Sequence, residues 1–321
     1  FGAGTRLYSF WPTFHVSGKW PLYGAIDRAA SLFVRERWQT DRFWDDIRSH
    51  RITLAPMIGP IPLFLSAAPE TAGDADNPLE HVIMAPVIPA FSDFERRFGV
   101  EVHTSAGMTE TGLPFRGYHP LANHRTGGRL AAGYEVRVVG EDGADVGPGV
   151  PGEALIRSDH PGWLGAGYLN MPDETAEAWR DGWFHTGDAY MYDADGNWYF
   201  VDRLKDCLRR RGENISSFEL ENEVNAHPDV LESAAVAVAS EWGEDEVKIA
   251  VVRKPGCDAT ERDVVEFLIP RLPHFMVPRY VEFVDELPKT PTGKVKKVDL
   301  RRCGLTTDTW DRDRAGVVVP K

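Results

Sequence analysis

Residues 91–111, FSDFERRFGVEVHTSAGMTET, decide the fold class. Phe91, Phe94 and Phe98 recur at helical spacing and Gly99 follows as a stop, so a helix is expected up to Phe98. Val100-Glu101-Val102-His103 then reads as an extended run, and Thr104 to Thr111 as a small polar turn. Helix, strand, then a Gly/Thr turn is α/β organisation. In such sheets the turn beyond a strand's carboxyl end is where ligands bind. Residues 1–120 as a whole alternate apolar strands and amphipathic helices.

Residues 121–204 change character. Short strands (Tyr134–Val139, Glu153–Arg157 and Asn197–Val201) alternate with Gly/Asp/Pro turns, which predicts a small β-barrel or a distorted sheet. Gly147-Pro148-Gly149-Val150-Pro151-Gly152 satisfies G-x-G-x-x-G, but its two prolines lead into a strand, so it reads as a turn. Residues 205–302 read as a compact α+β domain. Ser216-x-x-Glu219 and Thr260-x-x-Asp263 open helices. Strands are expected at Ser233–Ala239, Val247–Val252 and Tyr280–Val284, and residues 303–321 read as a short polar tail.

The 321 residues carry 42% hydrophobic and 26% charged side chains, an ordinary globular composition. A net charge of −13 argues against a nucleic-acid partner held through phosphates, despite the local run Arg209-Arg210-Arg211. Cys207, Cys257 and Cys303 share no ligand spacing and read as free thiols in a reducing, cytoplasmic setting. No apolar stretch reaches the ~20 residues of a membrane span.

Three segments carry candidate chemistry. In Leu287-Pro288-Lys289-Thr290-Pro291-Thr292-Gly293-Lys294, a lysine follows a turn whose backbone can approach a ligand closely. It would meet a phosphate or carboxylate as a point charge, and the alternative is a basic surface loop. Thr104 to Thr111 offers hydroxyls, amides and one carboxylate. These suit phosphate oxygens and Mg²⁺, and the alternative is a plain polar turn. In Gly182-Trp183-Phe184-His185-Thr186-Gly187-Asp188 an aspartate at a glycine turn can accept both hydroxyls of a ribose. His185 reads as a packed, structural histidine.

In this order the segments resemble the adenylate-forming superfamily of acyl-CoA synthetases, adenylation domains and luciferase. The likeness runs over about residues 10 to 300. Pro12-Thr13-Phe14-His15-Val16-Ser17-Gly18 resembles the segment near the acyl and CoA sites, and Gly107-Met108-Thr109-Glu110 the phosphate motif. Gly152-Glu153 with Gly167-Tyr168 and Thr175 is similar to the next motif. Thr186-Gly187-Asp188 and Asp202-Arg203-Leu204-Lys205-Asp206 resemble the ribose motif and the hinge. Arg211-Gly212-Glu213-Asn214-Ile215-Ser216 opens the mobile domain, and Pro288 to Lys294 is similar to the final motif. The run from Gly212 to Pro228 looks most like crotonobetaine/carnitine-CoA ligases and related fatty acyl-CoA ligases.

The resemblance implies part of a large α/β domain with a small β-barrel (residues 1–120 and 121–204), followed by a small mobile α+β domain (205–302). It implies a carboxylic acid, ATP, Mg²⁺ and CoA, with adenylation followed by thioester formation. By position, Lys294 bridges carboxylate and phosphate. Gly107, Met108 and Thr109 lie on the nucleotide, and Glu110 holds Mg²⁺. Asp188 and Arg203 bind the ribose, and Lys205 is the hinge. His15, Arg211 and Gly212 lie at the acyl and CoA sites.

Three departures stand out. The phosphate loop is expected upstream of residue 1; Arg125-Thr126-Gly127-Gly128-Arg129 is the nearest run in composition but is misplaced. Ala106 stands where an aromatic ring usually stacks on adenine, and Met84-Ala85-Pro86-Val87 replaces the adenine wall. The competing readings are an adenylation domain loading a carrier protein and a non-catalytic acyl- or nucleotide-binding protein. A homodimer is left open.

Overall fold

The computed structural model describes the chain except residues 59–60, 211–212, 240–244, 291–292 and 321, and the Asn214 side chain. Two compact units emerge: residues 1–186 with 190–200, and residues 187–189 with 201–321.

The first unit begins with β1 (Arg6–Ser9), α1 (Val16–Asp27), β2 (Ser31–Val34), α2 (Thr40–Ser49), β3 (Leu54–Ile58) and α3 (Ile61–Ser66). Then come β4 (His81–Ala85), α4 (Phe91–Phe98), β5 (Glu101–Met108), β6 (Gly112–Gly117), β7 (Thr126–Leu130), β8 (Tyr134–Val139) and β9 (Gly152–Ser158). It continues through α5 (Pro172–Ala178), β10 (Trp179–Arg180), β11 (Trp183–Tyr192) and β12 (Asn197–Arg203). Residues 187–189 of β11 and 201–203 of β12 belong to the second unit.

α4 forms for the reason read in the sequence. Phe94 and Phe98 are buried, and Gly99 takes φ +68°, the left-handed cap that favours glycine. The sheet runs β2-β1-β3-β4-β5-β6-β7-β12-β11-β9-β8, with β10 beside β11. β1 to β5 pair in parallel over a core of Phe43, Ile47, Met57, Met84, Phe94 and Val102.

β5 is the pivot. Residues 101–103 pair in parallel with β4, whereas Thr104–Met108 pair antiparallel with β6. The polar turn expected over Thr104–Thr111 is therefore mostly strand, and only residues after Met108 turn. Alternating burial of Val102 and Thr104 seats this face on the core, and that packing overrides the low strand propensity of Gly and Ser. The antiparallel strands form the distorted sheet rather than a barrel, because the path stays open from β2 to β8.

The second unit holds β13 (Leu208–Arg210), β14 (Glu213–Ile215), α6 (Ser217–Asn225), β15 (Val230–Ala239) and β16 (Asp245–Arg253). They are followed by α7 (Glu261–Leu268), β17 (Tyr280–Phe283), α8 (Lys297–Cys303) and β18 (Trp310–Asp311). Ser216 caps α6 by accepting Glu219 N–H, and Thr260 with Asp263 forms a reciprocal capping box on α7. The sheet order is β15-β16-β17-β18, with β13-β14 as a separate hairpin.

The chain end corrects the expectation of a tail. Trp310 and Asp311 pair with β17, and Val317 packs against the core around Val247, Ile249 and Leu268. One buried valine and a two-residue bridge are too short a pattern to stand out in a polar sequence. No helix among the described residues is long and apolar enough to cross a membrane.

Candidate active site

In the first unit, Gly107, Met108, Thr109 and Glu110 gather where β5 ends and the chain turns. Thr111 N donates to Met108 O at 3.2 Å, and the Tyr134 hydroxyl donates to Thr111 O at 2.8 Å. Thr109 is exposed at this turn and Glu110 is half-buried. The Tyr168 hydroxyl donates to Glu110 Oε1 at 3.0 Å, so one carboxylate oxygen is oriented by the protein. Burial and this carboxylate push the Tyr168 phenol up to about 12, so it remains the donor. Gly167 and Thr175, read as one motif with Tyr168, meet here: Tyr168 N donates to Thr175 Oγ1 at 2.8 Å.

Gly107 is glycine because backbone crowds it. A Cβ there would stand 2.0 Å from Gly112 O and 2.8 Å from Pro114 Cδ. Gly107→Ala is therefore expected to cost about 3 kcal/mol, the upper range of overpacking, read from the urea midpoint. A variant as stable as the parent would refute the close approach.

His15 sits at the start of α1, where its Nδ1 accepts Ser17 N–H at 3.1 Å as an N-cap. The neighbouring Phe14 is 68% exposed. Met84 and Val87 of the expected adenine wall are core residues, and Ala106 packs beside Phe115 and Trp198. His185 lies 3.2 Å from the Glu153 carboxylate, in keeping with a structural role.

In the second unit Asp188 is the centre. Gly187 and Asp188 do not form the turn expected from sequence; they lie within β11, where Gly187 takes φ +65°. Leu204 N donates to Gly187 O at 2.9 Å, which ties β11 to the chain after β12. Asp188 is only 9% exposed, and burial pushes its carboxyl up to about 6. The charges of Arg203, Lys294 and Lys205 act in the opposite direction, and Asp202 adds to the rise. Arg203 Nε lies 3.9 Å from Asp188 Oδ1. Four residues from three separate segments thus share one electrostatic neighbourhood.

Lys294 is carried on a hairpin. Lys289 bridges to Val295, Thr290 N donates to Lys294 O at 2.8 Å, and Gly293 takes φ +77°. Lys205 is exposed in the turn closed by Asp206 N and Arg203 O, and its carbonyl accepts Arg301 Nη1 at 3.0 Å. Arg211 and Gly212, assigned to the CoA site by resemblance, lie outside the described residues.

A buried network beside these residues was not legible in the sequence. Asp202 Oδ2 accepts Ser217 N at 2.5 Å and Ser217 Oγ at 2.7 Å. Lys297 Nζ donates to Ser217 Oγ at 2.5 Å and pairs with Glu221 at 2.7 Å. It fixes the end of β12 onto α6 next to Arg203. In the sequence Glu221 falls in the segment that opens the mobile domain and Ser216 reads as a cap, but neither points to Ser217 or Lys297. Cys207 lies nearby, its thiol pushed up to about 11 by burial and by Asp202 and Asp206, which keeps it protonated at neutral pH.

Among the described residues one further group has ligand atoms close enough for a metal: His81, Glu101 and His103. His103 Nδ1 accepts His119 N–H at 3.0 Å, so its proton sits on Nε2, directed at His81 Nδ1 at 3.1 Å. A metal on that Nε2 would force a proton onto Nδ1 against the His119 N–H. The group is a hydrogen-bonded cluster.

Residues 1–169 match the family model of the AMP-binding enzyme, and residues 219–294 that of the AMP-binding enzyme C-terminal domain. Crotonobetaine/carnitine–CoA ligase of Salmonella typhi is 31% identical over 296 residues, which is 90% of this chain and 57% of that protein. ATP-bound MatB from Rhodopseudomonas palustris is 27% identical with a TM-score of 0.82, over 94% of this chain and 61% of its own. Amide bond synthetase McbA from Marinactinospora thermotolerans is 26% identical, also with a TM-score of 0.82, over 93% of this chain and 62% of its own. The chain thus spans a little over half the length of the curated relatives it matches.

Proposed function

Because the chain belongs to the AMP-binding enzyme family, we propose that it carries out adenylation of a carboxylic acid with ATP, followed by transfer of the acyl group to CoA. The observation that carries this reading is the buried Asp188 with the charges of Arg203, Lys294 and Lys205 acting on it. In the first step a substrate carboxylate oxygen attacks the α-phosphorus, and the bond to pyrophosphate breaks. In the second the CoA thiol, losing its proton, attacks the acyl carbon and AMP leaves.

Asp188 accepts the two ribose hydroxyls, and Arg203 favours its ionised form. Lys294 is a point charge toward the negative charge shared by carboxylate and phosphate. The hydroxyl of Thr109 donates to phosphate oxygens. His15 lies at the acyl and CoA end, Gly107 and Met108 line the nucleotide, and Lys205 absorbs the rotation between the two steps. The oxygen donors Glu110 and Thr109 fit a hard cation, and Glu110 would hold Mg²⁺. When bound, that ion neutralises phosphate charge.

ATP–pyrophosphate exchange across a panel of carboxylic acids, on the complete gene product, tests the reading. Exchange stimulated by at least one acid is expected; none with any acid would overturn it. The similarity to an amide bond synthetase at equal TM-score favours one second reading, in which an amine replaces the thiol in the second step. Supplying CoA, a carrier protein or an amine to preformed acyl-AMP separates these acceptors.

The raised carboxyl of Asp188 also predicts a pH profile. Its folded value lies above the ordinary one, so the proton is taken up as pH falls through about 6. The ribose hydroxyls need the ionised form as acceptor. Adenosine carries the diol without a titrating phosphate. Its affinity is expected to be flat from neutral to alkaline pH and to fall roughly tenfold per unit below that midpoint. Asp188→Asn should bind weakly and lose the profile. An unchanged profile in that variant would remove Asp188 from ribose binding.

A further inference from the structure

The run Arg125-Thr126-Gly127-Gly128-Arg129 plays no part in the chemistry above, yet it borders a groove of about 630 Å³ in the first unit. Arg129 of β7 lies directly opposite Arg116 of β6. Opposed residues on antiparallel strands project from the same face, and two like charges there repel. Both arginines line the groove and both are exposed. Among the described residues no carboxylate oxygen lies within 4.0 Å of either guanidinium. Asp195 also lines the groove, beyond that distance. This pair is unneutralised in a chain whose net charge is −13.

The geometry is built. Gly128 takes φ +103°, and a Cβ there would stand 2.1 Å from Arg116 C and 2.3 Å from Gly117 N. Only glycine lets β7 approach β6 this closely and bring the two arginines into one row. Gly128 N also donates to the buried Thr126 Oγ1 at 3.0 Å. Arg116 Nε donates to Leu113 O at 3.1 Å, which orients its guanidinium, and Arg116 lines the groove. Leu121 and Tyr118, a residue 69% exposed, supply apolar surface at the side.

We propose that this groove is a binding site for a phosphate monoester carrying an apolar or aromatic group. The phosphate dianion lies between the forks of Arg116 and Arg129, and the organic part lies against Tyr118 and Leu121. The preference for phosphate follows from donor count. One guanidinium fork satisfies both oxygens of a carboxylate, whereas two forks match the three terminal oxygens and double charge of a phosphate ester.

Phenyl phosphate is the probe, with benzoate, phenol and inorganic phosphate for comparison, on the complete gene product by calorimetry and thermal melting. Phenyl phosphate is expected to bind and raise the melting temperature, to bind more tightly than inorganic phosphate, and to exceed benzoate and phenol by at least tenfold. Arg116→Gln and Arg129→Gln should each weaken it at least tenfold, and the double variant little further, because the two forks act on one phosphate. In phosphate-free buffer each single variant should melt no lower than the parent, since removing one charge relieves the repulsion. Phenyl phosphate binding that survives in both variants lies elsewhere and overturns the proposal. So does equal affinity for benzoate, or no binding to the parent.

Discussion

Replacing Lys294 by alanine in the complete gene product is expected to lower acyl-adenylate formation by about 10²–10³-fold, the usual loss for one preorganised charge or donor at a transition state. Thioester formation from supplied acyl-AMP should be largely unchanged. The hairpin that carries Lys294 is held by its own backbone, through the Lys289–Val295 bridge, Thr290 with Lys294, and the left-handed Gly293. The backbone pairing of the hairpin does not run through the side chain, so Lys294→Ala is expected to remove the charge and keep the turn. Charge that builds between carboxylate and α-phosphate belongs to the first step only. Lys289 is the control: its ammonium pairs with Glu232 at 2.7 Å, so Lys289→Ala should leave both half-reactions intact. Lys294 also favours the ionised form of Asp188, so its loss should move the Asp188 midpoint to higher pH. Equal loss in both half-reactions, or an unmoved midpoint, would reject this role.

The largest stability effect is expected at Arg210, which is 2% exposed. Its Nη1 donates to Phe275 O at 2.9 Å and to Val277 O at 3.0 Å, and its other nitrogens pair with the buried Glu246. Arg279 lies 3.9 Å from Glu246 and is itself engaged by Asp311, so it cannot replace the lost partner. Arg210→Ala leaves the Phe275 carbonyl and the Glu246 carboxylate without their Arg210 donor inside the second unit, while Val277 O keeps Arg312 Nη1 at 3.0 Å. The expected cost is about 3–5 kcal/mol, the range for breaking a buried pair on one side. Hydrogen exchange of the β15 and β16 amides measures it. Arg210→Met combined with Glu246→Leu removes both charges and should be less damaging than Arg210→Ala alone. A double variant as unstable as the single would show that the pair's geometry, and not the stranded charge, is what matters.

The features legible in the sequence are those whose cause is local. Helical phenylalanine spacing and Gly99 specify α4, Thr260 and Asp263 cap α7 reciprocally, and Gly293 turns the Lys294 hairpin. Each is settled by neighbours within about one turn of chain. The ordered motifs were enough to identify the adenylate-forming resemblance, because they are properties of residue type and spacing. Tertiary structure decided what depends on burial and on partners far along the chain. Thr104–Met108 is strand because β6 pairs with it, and Trp310 with Val317 joins the fold because β17 and its core accept them. Ser217, Glu221 and Lys297 became one network only when α6 and α8 met the end of β12. Asp188 has the same carboxylate in any sequence context. Its position inside β11, with water excluded and with Arg203, Lys205 and Lys294 acting on it from other segments, raises its carboxyl, because desolvation penalises charge more than those cations restore.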